Sequence, residues 1–468
     1  MGGAVSHKNP ADFRHASFQG DIGIARVEIT PPVGIYARNW GAAAHDVAAR
    51  IHRPLFLTAL TLNSANRRLV LVDADLGWWR TPQTYQKFMA RLQAELSLNS
   101  ADLIFALTHT HSGPPLMETD DSLPGSDLHR SWMEKLYQST VQVIREVQHY
   151  ESPSILDWET GSCPLATVRD LPDPQRDRIV CGYNPEGIPD PTLLVGRITD
   201  LAGRLRGVLV NYACHPTTLS WQNDAISPDY IGAMRDTIEQ ATSATSLFLL
   251  GMCGELAPRF QYVGDLDVAD RHGRQLGHAA LATLYGMERP ATRLEYQNVV
   301  ESGAPLAIWR HTPAQPSQNL QSRKTSVSLP IKDWPSAEEL ERQRASSSDR
   351  TIEERTRRKR DIRRFLGDGT AFDLPIHAWR IGDALLIGSC CECYSSVQQD
   401  LRQRYPDRKL ICMNLLNGSI GYLPPRELYD LDIYPVWQTP FDRGCMEITS
   451  AGMSDAIRDL LTDRSSHG

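Results

Sequence analysis

No run in the 468-residue sequence approaches the roughly 18 consecutive apolar residues of a membrane-spanning helix. The opening stretch, MGGAVSHKNPADFRHASF, has no apolar centre of the kind a secretory leader carries, so a cytoplasmic location is expected. Basic residues are not in excess. The 49 Lys and Arg stand against 56 Asp and Glu, a formal charge of −7, which removes the electrostatic footprint that nucleic-acid binding requires. Cysteine forms no framework either. The nine cysteines are odd in number and several sit in apolar runs such as LFLLGMC and KLICMN, as reduced, buried thiols do. One cluster, SCCEC, gives Cys390 and Cys393 a CxxC spacing suited to metal or redox chemistry, but no second CxxC exists to complete a thiolate site. No internal repeat and no long Pro, Gly or Ser linker breaks the chain, so one domain over residues 1–468 is expected.

The remaining composition, 41% hydrophobic and 22% charged, is that of a soluble globular protein with a large core. Short aliphatic runs at 55–62, 68–75, 102–108, 206–213, 246–251, 383–389 and 409–414 read as buried strands. Between them, residues 131–150 and 268–287 carry apolar positions at helical spacing, including Trp132, Leu136, Val141 and Ile144. This alternation predicts an α/β fold, a layered mixed-sheet core with flanking helices. One segment differs: residues 336–369 are densely charged and poor in apolar side chains. They read either as an exposed helical hairpin or as a lid near a site.

Chemistry-bearing residues recur where strands end. In LTHTHSGPP, His109 and His111 lie two apart, and in an extended chain such residues point to one face. Two imidazoles sharing a space give a metal two ligands, or one ligand beside an acid/base; alternatively one is a hydrogen-bonded buried histidine and the other is exposed. NYACHPTT places His215 after the strand at 206–213, GSCCECYSS places Glu392 after 383–389, and NGSIGYLP places Tyr422 in a glycine-rich turn after 409–414. In an α/β sheet such loops gather at one edge, where ligands bind. Singly, His215 reads as a turn cap and Tyr422 as a half-buried ring; together they could complete a metal site.

Six stretches taken in order, IGIARVEITPPVG, LTHTHSGPP, NYACHPTTLS with ISPDYIGAMRDTIE, GMCGELAPR, LLIGSCCECYSS and IGYLPPRELYDLDIYP, make the chain resemble the neutral (non-lysosomal) ceramidases, which are zinc-dependent amidases. The resemblance implies a neutral-ceramidase-like catalytic domain. It implies Zn2+ ligands at His109, His215, Glu392 and Tyr422, with His111 nearby as an acid/base or substrate-orienting group. Tyr434 corresponds to the family's second active-site tyrosine, and Arg169 in ATVRD to a substrate-binding arginine. Two departures stand out. Glu255 and Ala257 occupy positions where the family has an aspartate and a serine often taken as nucleophile, and only one short helix is expected after the IYP motif, with no C-terminal immunoglobulin-like domain.

The chemistry does not need that serine. Zinc with an open position lowers the pKa of a bound water to about 7, giving a nucleophile at neutral pH, while His111 can shuttle the proton and Tyr434 and Arg169 can donate to the developing oxyanion. An activated serine finds no support, because no G-x-S-x-G occurs and Ser112 lies outside such an elbow. The expectation is a zinc amidohydrolase acting on a small-molecule amide or acyl substrate other than ceramide. A zinc esterase or lactonase, or a zinc-retaining binding protein without catalysis, are the alternatives.

Overall fold

Two-residue alternation builds the centre of the molecule. The structure is a computed structural model that describes residues 12–65 and 67–462; residues 1–11, most of the stretch read for a leader, lie outside the described residues. The first sheet has eight strands: β1 (Ala16–Glu28), β2 (Phe56–Ser64), β3 (Arg67–Ala74), β4 (Leu103–Leu107), β5 (Ser152–Ser162), β6 (Thr192–Asp200), β7 (Leu205–Tyr212) and β8 (Thr245–Leu250). Their spatial order is β8-β7-β6-β5-β1-β2-β3-β4. Only the two outermost pairs, β7 with β8 and β3 with β4, are parallel. The second sheet runs β9 (Leu320–Pro330), β10 (Ala371–Ile381), β11 (Ala384–Ser389) and β12 (Leu410–Met413), with β11 and β12 parallel.

Nine helices are described: α1 (Pro82–Leu96), α2 (Ser126–Glu146), α3 (Tyr230–Thr242), α4 (Leu266–Tyr285), α5 (Ala337–Ser346), α6 (Arg350–Leu366), α7 (Ser395–Arg404), α8 (Tyr434–Gln438) and α9 (Cys445–Thr462). In β3, Val70 and Val72 join a cluster with Leu92 of α1, Leu136 of α2, Met234 of α3 and Leu276 of α4, whereas Leu69 and Leu71 point the other way. Those two meet Trp379, Leu386 and Ile411 of the second sheet. The second sheet's far face, through Ile376 and Ile387, is covered by Leu401 of α7 and Met453 and Ile457 of α9. The layers are therefore helix, sheet, sheet, helix, a mixed-sheet α/β architecture in which the central strands bury both faces.

Local signals explain most boundaries. Thr81 caps α1 by accepting from Thr84 N, and Pro82 occupies the first turn, where its missing N–H is harmless. Asp265 caps α4. The charged segment forms two helices, α5 and α6, capped by Ser336 and Asp349. The chain's last helix corrects the sequence expectation: α9 is 18 residues long, because Cys445, Met453, Ile457 and Leu460 recur at helical spacing and bury one face against the second sheet. The CxxC cysteines are buried and free, and burial pushes the Cys393 thiol up to about 12, away from the thiolate that ligation or redox work requires. Among the described residues no helix is long and apolar enough to cross a membrane.

Candidate metal centre and its cavity

Each of the three parallel strand pairs within the two main sheets delivers a side chain to one place. His109 follows β4, His215 follows β7, and Glu392 follows β11, all three buried. The carboxylate Oε2 of Glu392 lies 2.9 Å from His215 Nε2 and 3.2 Å from His109 Nε2. One ligand atom from each of the three falls within 4.8 Å of the others, so the group could hold a metal ion.

The opposite ring nitrogens fix what these contacts mean. His215 Nδ1 is 2.6 Å from the Cys253 carbonyl, and His109 Nδ1 is 3.2 Å from the Gly77 carbonyl. A carbonyl only accepts, so both Nδ1 atoms carry the proton and both Nε2 atoms present lone pairs to the carboxylate. Burial, with the Arg169 charge adding to it, brings His215 down to about 4, so its ring is neutral at pH 7. Burial opposes ionisation of Glu392, and positive charge on the side of His109 and His215 is what holds its carboxyl well below the usual range. Two imidazole lone pairs and a carboxylate converging on one point repel each other unless a cation lies among them. The donor set therefore fits a divalent ion with nitrogen and oxygen preferences.

The surroundings extend the set. A two-residue strand, Tyr422–Leu423, pairs in parallel with Glu392–Cys393 and places the Tyr422 hydroxyl 3.4 Å from His215 Nε2. That hydroxyl accepts from Arg169 Nη2 at 3.1 Å; burial and the Glu392 charge push its pKa well above 10. Arg169 is itself buried, donates also to the Gly254 carbonyl at 2.8 Å, and leaves Nε without a partner among the described residues. Gly254 must be glycine here, since a Cβ would lie 2.7 Å from the Tyr394 ring and 3.1 Å from the Glu392 carbonyl oxygen. The Tyr434 ring, at the start of α8, stands edge-on to Tyr422 at 5.4 Å.

His111 sits beside the triad in a different way from the one the spacing suggests. The chain has left β4 before His109, whose φ of +73° is left-handed, so the two histidines do not share an extended strand face. The turn nevertheless brings the rings to 4.9 Å. His111 is held between Trp78 at 4.8 Å and Trp40 at 5.0 Å, with no hydrogen-bond partner on either nitrogen among the described residues. Burial, then the neighbouring His109, lowers its pKa well below 6.5, so the free ring is neutral.

His111, Arg169, Tyr422 and Tyr434 line a cavity of about 400 Å³. A smaller space of about 50 Å³ beside it reaches His109 and Glu392. The cavity walls include Trp40, Trp221, Tyr262 and Trp437, together with Glu354, Arg355 and Arg358 of α6. None of these seven was singled out in the sequence. The tryptophan pair in GWWR just after β3 was an available signal for Trp78 at the metal end; the α6 residues had only their membership of the charged segment. The two departures noted above also find places. Ala257 is fully buried in a short strand pair opposite Thr167, which donates to its carbonyl at 3.1 Å. Glu255 accepts from Ser395 N at 2.9 Å at the start of α7, three residues beyond Glu392. Burial raises its carboxyl to about 7.

No protein-family profile matches the chain. Over 280 residues, 56% of the chain, the sequence is 26% identical to a neutral ceramidase of Pseudomonas aeruginosa; the match spans 41% of that relative's length. The crystal structure of neutral ceramidase from Pseudomonas aeruginosa superposes with a TM-score of 0.67 at 18% identity, covering 96% of this chain and 75% of that one. A structure described as ceramidase complexed with C2 gives 0.65 at 17%, covering 95% and 76%. The fold is the same in all three.

Proposed function

We propose that this neutral-ceramidase-like domain is a zinc-dependent amidohydrolase acting on an N-acyl amide, with His109, His215, Glu392 and Tyr422 as the metal ligands. The observation that carries the reading is the convergence of two imidazole lone pairs on the Glu392 carboxylate at 2.9 and 3.2 Å, beside a cavity large enough for a small organic substrate. A zinc ion held there would polarise the scissile carbonyl and bring the pKa of a water down to about 7.

The chain's own residues supply the rest. His111 is neutral and unpaired, so it can take the proton of the attacking water and deliver it to the leaving nitrogen. The Trp40 and Trp78 rings fix its position. Arg169, tied to the Gly254 carbonyl, and Tyr434 can donate to the oxyanion or to a substrate oxygen. Ala257 offers no nucleophile, which favours direct attack by water and a substrate other than ceramide.

Attack on a carbonyl is the same for an ester or lactone, so such substrates differ only in the leaving group. A metal-retaining binding protein would need the ligands alone; a neutral His111, Arg169 and Tyr434 around one cavity favour the enzyme. The deciding experiment measures metal content of the purified protein and hydrolysis of matched N-acyl amides and esters of graded chain length. About one zinc per chain with amide hydrolysis and no covalent adduct on quenched protein is expected. A substrate-derived adduct on Ser112 or any other side chain would sink the water mechanism, and metal without turnover on any amide or ester would favour the binding protein.

A further inference from the structure

The charged segment contributes a wall of the cavity, and its charges do not balance. Glu354 of α6 is buried and accepts from Arg80, Arg357 and Arg358, the last through Nε at 2.8 Å. Three guanidiniums thus surround a single carboxylate. Arg358 also donates from Nη2 to the Asn39 carbonyl at 2.9 Å, which leaves Nη1 without a protein partner among the described residues. It lies 5.1 Å from the Trp78 ring and lines both the small space beside His109 and Glu392 and the larger cavity.

One helical turn earlier, Arg355 stacks on Trp437 at 3.7 Å and makes no ion pair among the described residues. Arg169 faces the same cavity from the opposite wall, and Glu354 of α6 is the one carboxylate among the described residues that line it. This excess of positive charge is local, since the chain as a whole carries −7. The charges of Arg169 and Arg358, set in a partly buried aromatic pocket, are costly to leave uncompensated, and planar guanidiniums match carboxylates in shape and hydrogen-bond spacing.

We propose that the substrate is an anionic N-acyl amide of the N-acyl amino acid type, its carboxylate held by Arg358 and Arg355 and its apolar portion against Trp40 and Trp437. Arg355 and Arg358 lie three residues apart on α6, so both reach one side of the helix and one ligand group. Arg358, which borders the metal end, places the anion close to the scissile bond; Arg355 sets the outer limit. The proposal rests on the amidohydrolase reading above and names the chemistry of its substrate.

The test compares dodecanoylglycine with dodecanoylglycinamide, which differ by one charge, in wild type, Arg355→Gln and Arg358→Gln. Release of dodecanoate should show kcat/KM at least about tenfold higher for the anion, lost mainly through KM as salt is raised. Either substitution should cut the anion-to-neutral ratio at least about threefold. Arg355 is exposed and outside the Glu354 cluster, so its variant reports even if Arg358→Gln does not fold. Equal use of the two compounds, or a ratio unchanged in the folded variants, overturns the proposal. If neither compound is cleaved, the amidohydrolase reading fails on its own account, and tryptophan-fluorescence titration of the metal-loaded protein with both compounds still decides the anion site. Tighter binding of the anion that weakens in Arg355→Gln supports it; equal binding of the two overturns it.

Discussion

The cavity has two walls of different construction. On one side, His109, His215 and Glu392 stand at the ends of parallel strand pairs, and backbone carbonyls of Gly77 and Cys253 hold the two rings. On the other, α6 is tied to loop residues mainly by side chains: Glu354 to Arg80, Arg358 to the Asn39 carbonyl, Arg350 to Asp46. A metal site needs ligand atoms placed to within a few tenths of an ångström, and strand ends buried in a packed core supply that rigidity. A wall that reads a substrate's charge needs less placement and is more easily varied. The mixed construction separates the reaction from its specificity.

The sharpest way to break this division is to remove a ring proposed to hold the metal. His109→Ala and His215→Ala should lose most of their metal and bring turnover to background, while leaving α6 docked. Elemental analysis of both variants checks the assignment, and full metal in both would show that these histidines are not ligands.

His111 belongs to the strand-end side in sequence yet touches neither the carboxylate nor a backbone carbonyl. His111→Ala should therefore keep its metal and lose about two to four orders of magnitude in kcat, the usual worth of a general acid/base. Metal content and kcat measured on one preparation decide between three outcomes. Loss of metal would make it a ligand, and near-normal turnover would make it a bystander.

On the α6 side the largest effect should come from Glu354→Gln. Removing the one carboxylate among Arg80, Arg357 and Arg358 leaves buried like charges facing one another, a loss of about 3–5 kcal/mol for a buried partner. Metal affinity should hold, while limited proteolysis should open sites between 337 and 366. Equal loss of metal and of helix docking would show that the walls are one cooperative unit.

How far each wall was legible in the sequence follows from the same contrast. The strand-end residues announce themselves because a short aliphatic run followed within three residues by His or Glu is a local pattern, which β4, β7 and β11 carry, with Tyr422 following β12 at a longer distance. The fold class follows from the alternation of those runs with α2 and α4. Strands β1, β5 and β6 did not stand out, since Gly20, Gly23, Asp157 and Arg197 interrupt their apolar character. The α6 wall was legible only as a charged segment that could be a hairpin or a lid; its docking was not, because Glu354 and Arg80 are 274 residues apart, and an ion pair over that separation leaves no periodicity to read. His109 is a further case. Its place near the metal was legible, but the left-handed turn that aims it was not, because histidine carries no strong signal for positive φ.

Glu255 sharpens the comparison within the strand-end wall, since it supports α7 just after Glu392 without touching either imidazole. The Ser395 N–H and hydroxyl at a helix start favour a carboxylate, but burial outweighs them and raises the carboxyl from the usual 4.5 to about 7. The folded chain then keeps a proton that the unfolded chain releases near 4.5, so this group's contribution to stability falls as pH rises through the window from 4.5 to 7. The full effect is up to about 3 kcal/mol from the size of the shift. Glu255→Gln cannot titrate and should gain on wild type by that amount between pH 5 and pH 8. Chemical denaturation of both proteins in chelator at the two pH values reads it without interference from metal binding. A stability difference that stays constant across the window would mean that the carboxylate is already ionised at pH 5, held there by Ser395 and the α7 terminus against the cost of burial.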